Sequence, residues 1–103
     1  MIFRRRFADL VSRQLDLFAA EHADLLEDVE VFLRAYNEAP RDEAEERYGD
    51  YLDRVDLAAE ALAGIRDTYA RALDETAADE YEATFEKAAA KRFPRLASAL
   101  GEL

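Results

Sequence analysis

Hydrophobic side chains recur three and four residues apart along almost the whole chain, the spacing that places them on one face of an α-helix. The first run takes in Phe7, Leu10, Val11, Leu15, Phe18, Leu25, Val29, Phe32 and Tyr36. At 100° per residue it fills an arc of roughly 160°, wide enough to touch two neighbouring helices. Neither glycine nor proline interrupts it before Pro40. A helix over 3–37 would be about 50 Å long. That is long for a globular domain, so a kink near Ala20–Ala23 is the alternative to one straight rod.

The second run carries Tyr48, Tyr51, Leu52, Val55, Ala58, Ala59, Leu62, Ile65, Tyr69 and Leu73, and predicts a helix over 41–73. Pro40 suits its first turn, and Asp42, Glu43, Glu45 and Glu46 suit the positive end of its dipole. This helix runs through Gly49 and Gly64. Each costs about 1 kcal/mol relative to alanine, which close packing would explain. Thr76 is the expected N-cap of a third helix over 77–92, with Asp79 three residues on. Its stripe is Tyr81, Phe85, Ala88 and Ala89. Pro94 drives Phe93 out of helical dihedrals and leaves a short turn over 94–100. The expectation is one all-α domain over 1–103. Its architecture is an up-down-up, three-helix antiparallel bundle with two long helices and a shorter, Pro-kinked third. Phe18, Val29, Leu62 and Phe85 belong in its core.

Composition agrees with a folded domain. Of 103 residues, half are apolar and 37% charged. A chain of this size buries roughly two-thirds of its unfolded surface, enough for a core without staples. No cysteine is present, which excludes disulfides, thiolate metal sites and cysteine nucleophiles. The formal charge is −10, from 24 acids and 14 bases. Phosphate backbones and anionic lipids are repelled by such a chain, so neither nucleic acid nor a membrane is an expected partner, whereas a basic protein is. No apolar run is long enough to span a bilayer. The start, Met1 to Phe7, is basic like a signal peptide, but Asp9, Arg13 and Asp16 interrupt the apolar stretch such a peptide needs. The expected location is cytoplasmic.

Catalytic chemistry finds little support. His22, the one imidazole, falls on the core-facing arc with Val11, Leu15 and Val29. Its i±3 and i±4 neighbours are Phe18, Ala19, Leu25 and Leu26, so the second ligand of a helical metal site is missing, as is the Glu-x-x-His pattern of di-iron bundles. Asp53, Asp56 and Glu60, and likewise Asp24, Glu27 and Asp28, share helix faces and read as solvated surface. Nucleophile elbows, phosphate loops and dinucleotide fingerprints do not occur. No metal and no cofactor is expected, and the chain reads as a non-enzyme.

Charge placement suggests pairing instead. An up-down-up register brings Arg4–Arg6 near Asp74, Glu75, Asp79 and Glu80, and Lys91–Arg95 near Glu21, Asp24, Asp53 and Asp56. Arg66 falls inside the apolar stripe of the second helix, and Arg92 beside Tyr81, Phe85 and Leu96 in the third. An arginine facing a core is paired or snorkels outward, and either could anchor an anion together with Gln14 and His22. The last feature is a weaker stripe behind the second helix: Leu57, Ala61, Gly64 and Thr68. Its spacing is that of a coiled-coil seam, and its small residues admit another backbone. Leu17 and Val31 also lie outside the main arc of the first helix. These features point to a protein–protein interaction or structural module that pairs with a second copy. The competing reading is a small-molecule or anion-binding bundle built on His22, Arg66, Arg92 and the tyrosines.

Overall fold

A computed structural model of the chain describes residues 6–103. Among these residues the regular structure is helical throughout, in five α-helices rather than three. They are α1 (Ala8–Glu21), α2 (Ala23–Asn37), α3 (Ala44–Ala70), α4 (Glu75–Arg92) and α5 (Ala97–Gly101), with a 3₁₀ turn over Pro94–Leu96. The expected start of the first helix at position 3, and the pairing of Arg4 and Arg5, lie outside the described residues.

The long first rod is two helices, divided at His22 (φ −117°, ψ 30°). The break is economical. The His22 N–H still donates to the Phe18 carbonyl at 2.9 Å, and the His22 carbonyl still accepts from Leu26 N–H at 3.0 Å. His22 therefore keeps both of its own backbone hydrogen bonds at the change of direction. The Phe18 ring steadies the bend, 5.1 Å from the His22 ring and 5.3 Å from that of Phe93. Bending lets α1 lie against α4 while α2 lies against α3.

Two boundaries differ from the expected ones for local reasons. Glu43 N–H closes a tight turn onto the Pro40 carbonyl at 2.9 Å, so proline opens the turn before α3 and not its first helical turn. At the next junction Asp74, not Thr76, is the N-cap of α4. Its carboxylate accepts from Ala77 N–H at 2.9 Å. Both residue types cap well, and the helix starts two residues earlier than expected. The break before Pro94 falls at Phe93 (φ −125°, ψ 67°), as proline chemistry requires.

Side-chain pairs fix the directions. α1 and α4 run the same way, with Arg6 against Glu80, Gln14 against Tyr81 and Asp16 against Arg92. α2 and α3 run oppositely, with Tyr36 against Tyr48 and Phe32 against Arg54. α3 and α4 are also opposed, through Tyr69 with Tyr81 and Arg66 with Glu86. The molecule measures 52 × 23 × 23 Å. Phe18, Val29, Leu62 and Phe85 are all buried, as the stripes predict. Alanines 58, 59, 63, 77 and 89 are buried between the larger side chains, where short side chains let helices approach.

Candidate interaction surface

α1 and α3 form no extended interface with each other. Between them lies an open groove of about 610 Å³, with Gln14 on the α1 side and Ala61, Gly64, Ile65, Thr68, Tyr69 and Ala72 on the α3 side. Three of the four small-stripe residues thus share one surface. The fourth, Leu57, lies beyond the groove and is 48% exposed. None of the lining side chains is charged, on a chain whose net charge is −10.

The glycines do not have the internal explanation that the sequence suggested. A methyl group placed on Gly64 would meet nothing within 4 Å, and the same holds for Gly49. No packing within the described chain demands a glycine at either position. The stripe missed part of the α3 wall as well as the wall across from it. Ile65 and Tyr69 belong by periodicity to the core-facing arc, yet here they are only partly buried and line the groove. Gln14 joins the groove from α1, which lies along α4, and a contact between helices so far apart in the chain is carried by no local pattern.

Beneath the groove is an aromatic cluster. Tyr81 is fully buried, its ring 4.7 Å from Tyr69, 5.5 Å from Phe7 and 5.9 Å from Phe85. Its hydroxyl donates to Gln14 Oε1 at 2.8 Å. Burial pushes the Tyr81 phenol from its ordinary 10.0 up to about 12. Gln14 therefore satisfies the buried hydroxyl while its side chain also lines the groove.

The polar candidates are dispersed. Arg66 is buried, as its stripe position implies, and its guanidinium is occupied. Nε donates to Asp67 at 2.8 Å, Nη1 to Glu86 at 3.4 Å and Nη2 to the Leu103 carbonyl at 3.0 Å. It ties the end of α5 to α3 and α4. Arg92 is not in the core beside Tyr81 and Phe85. It is exposed at the end of α4, with Nη1 2.6 Å from Asp16 Oδ1. Arg92 is the last residue of α4, and the break at Phe93 and Pro94 separates it from Leu96, which is buried. His22 is half-buried against Phe18 at the helix junction. Arg66, Arg92 and His22 thus have three different sets of neighbours and form no common anion site.

The basic stretch at the end of α4 also pairs differently from the expected register. Arg95 Nε meets Glu30 at 2.7 Å, and this carboxylate holds the Arg95 guanidinium above its ordinary pKa. Arg6 meets Glu80 at 3.5 Å, one of its expected partners. Among the described residues no group of three histidine, aspartate or glutamate side chains is placed to hold a metal ion, and no helix is long and apolar enough to cross a membrane. Comparison with family models, with curated proteins and with solved structures finds no match.

Proposed function

We propose that this chain is a non-catalytic interaction module that pairs with a second copy of itself through the α1–α3 groove. The observation that carries the reading is an uncharged groove on a strongly acidic protein, with a glycine that its own chain does not need. Two copies at −10 repel each other over most of their surface. A face without charges is where they approach without setting like charges opposite each other. A two-fold pairing would put Ala61, Gly64 and Thr68 of each copy together, and small residues let helix axes come close. In this reading α1 with α2 acts as one bent rod and α4 with its Pro94 extension as another, so the protomer is an up-down-up bundle of three rods.

Sedimentation at two concentrations tests it, on the wild type and on Gly64→Leu and Ala61→Glu. The wild type should dimerise and both variants should remain helical monomers. A wild type that stays monomeric at high concentration, or variants that pair as well as it does, would remove the reading. A second reading rests on the same groove, whose volume is that of small-molecule pockets and whose polar groups are few: Gln14, Thr68 and Tyr69. Native mass spectrometry of the purified protein separates the two, since a retained small molecule supports the second and a ligand-free dimer the first.

A further inference from the structure

A different face of α3 carries a second surface. Around the helix, Tyr48, Leu52, Val55, Asp56 and Glu60 are centred roughly 150° from the small-residue stripe. α5 runs beside them, and two adjoining clefts of about 440 and 330 Å³ open between the two helices. Asp56, Ala99 and Glu102 line both clefts, so they are continuous. The floor of the larger is apolar and poorly covered: Tyr48 is 44% exposed and Leu52 39%. The smaller is walled by Asp56, Glu60 and Glu102. Arg95, the one cation in the lining, is occupied by Glu30.

We infer that this α3–α5 groove docks a basic amphipathic segment of a partner protein, its apolar side chains on Tyr48 and Leu52 and its arginines or lysines against Asp56, Glu60 and Glu102. The choice of occupant follows from charge. Three carboxylates face a groove whose single cation is already paired, so an acidic or neutral segment leaves them unmatched and a basic one matches them. A second copy of this chain is disfavoured by the same carboxylates, which would stand opposite their own kind. Nucleic acid is repelled. A helix laid in a groove takes hold through apolar side chains three and four residues apart, and the exposed Tyr48 and Leu52, four apart on α3, present the matching ridge. Tyr48 and Leu52 lie on the far side of α3 from the α1–α3 groove, and Glu60 alone borders the small-residue stripe, so the apolar floor stays open when copies pair.

The test is fluorescence anisotropy of the full chain with a labelled helical peptide bearing leucines on one face and arginines on the other. Two control peptides replace the arginines by glutamates or the leucines by serines. The wild type should bind the first peptide and lose at least about tenfold in affinity for each control, the equivalent of about 1.4 kcal/mol. Asp56→Lys with Glu102→Lys should weaken the first peptide by about tenfold or more, and Leu52→Ser by several-fold. The reversal Glu21→Lys with Asp79→Lys, of two exposed acids on α1 and α4, should change it by less than about twofold. Circular dichroism checks that each variant is folded. No binding by the wild type overturns the proposal. Equal weakening by the two charge reversals overturns it as well, because net charge alone would then account for binding. So does equal affinity for the serine peptide, which would make the face a general polycation surface.

Discussion

α1 and α2 carry apolar stripes of similar spacing and are joined through a single residue, yet they meet different fates. α1 buries Val11, Leu15 and Phe18, and the preceding Phe7 is buried as well. α2 buries Val29 alone, while Leu25, Leu26, Phe32, Leu33 and Tyr36 stay partly in water. Amphipathicity does not differ enough to explain this; the neighbours do. α1 lies along α4, with the aromatic cluster of Tyr69, Tyr81 and Phe85 closing over Phe7. α2 has α3 as its one long neighbour. A hairpin of two helices covers only one side of each stripe, so its aromatic side chains pair with one another at the surface, as Tyr36, Tyr48 and Tyr51 do. An apolar stripe reports what a helix could bury, and its surroundings decide how much it does.

Truncations at the two ends should therefore differ most. Phe18→Ala and Phe85→Ala remove fully buried rings and should each cost about 3–5 kcal/mol in urea denaturation. Phe32→Ala removes a half-buried ring beneath the Arg54 guanidinium and should cost about 1 kcal/mol. Equal losses at the two ends would mean that α2 is as firmly held as α1, and would break the comparison.

Arg66 sharpens it from the other side of α3. Arg66→Met keeps most of the buried volume but releases Asp67, Glu86 and the Leu103 carbonyl. The expected cost is about 1–2 kcal/mol, because the hydrogen bonds are charge-assisted but both carboxylates keep much of their water. Hydrogen exchange should locate the loss in α5, with α1 unaffected. Faster exchange throughout would show that Arg66 supports the whole bundle.

These contrasts mark what the sequence makes legible. Periodicity suffices for helical class, for the turns near Ala39 and Asp74, and for the core at Phe18, Val29, Leu62 and Phe85, because each depends on residues close in the chain. Burial of Arg66 is legible for the same reason. Its partners are not, since Glu86 and Leu103 reach it only through the α3–α4 turn and the Pro94 break. The division at His22 is legible only as the alternative kink near Ala20–Ala23, because neither proline nor glycine marks it. The groove is legible only in part. Ala61, Gly64 and Thr68 form a visible small-residue stripe, but Ile65 and Tyr69 read as core and Gln14 comes from another helix.

Tyr81 offers a smaller and pH-dependent effect. Its phenol ionises near 10 in the unfolded chain and near about 12 in the folded one, so folding favours the protonated form. The corresponding stability is fully present below pH 10 and is lost as pH rises toward 12. Tyr81→Phe should cost about 1 kcal/mol at neutral pH, from the lost hydrogen bond to Gln14, and should flatten the decline between pH 10 and 12. An unchanged decline would assign the alkaline transition to other groups. Alkaline titration of tyrosine absorbance should show a late step from Tyr81, absent from the variant.

The smallest effect compares the two glycines of α3, Gly49 near its start and Gly64 in its second half. Neither Gly49 nor Gly64 has an atom within 4 Å of where a methyl group would go, and neither has a positive φ. In an isolated chain, Gly49→Ala and Gly64→Ala should each stabilise α3 by about 0.5–1 kcal/mol, because alanine loses less backbone entropy in a helix. The two positions part company only if copies pair through the α1–α3 groove. Gly64 would then stand where a second backbone approaches, and its added methyl would hold the helices apart, while Gly49 lies outside the groove. Thermal melts over a range of protein concentrations decide it. Gly49→Ala should raise the midpoint by the same amount at every concentration. Gly64→Ala should raise it when the protein is dilute and lose that gain as concentration rises and the wild type dimerises. If the two variants gain equally at all concentrations, Gly64 is only a helix glycine facing water, and the small residues around it have no partner to admit.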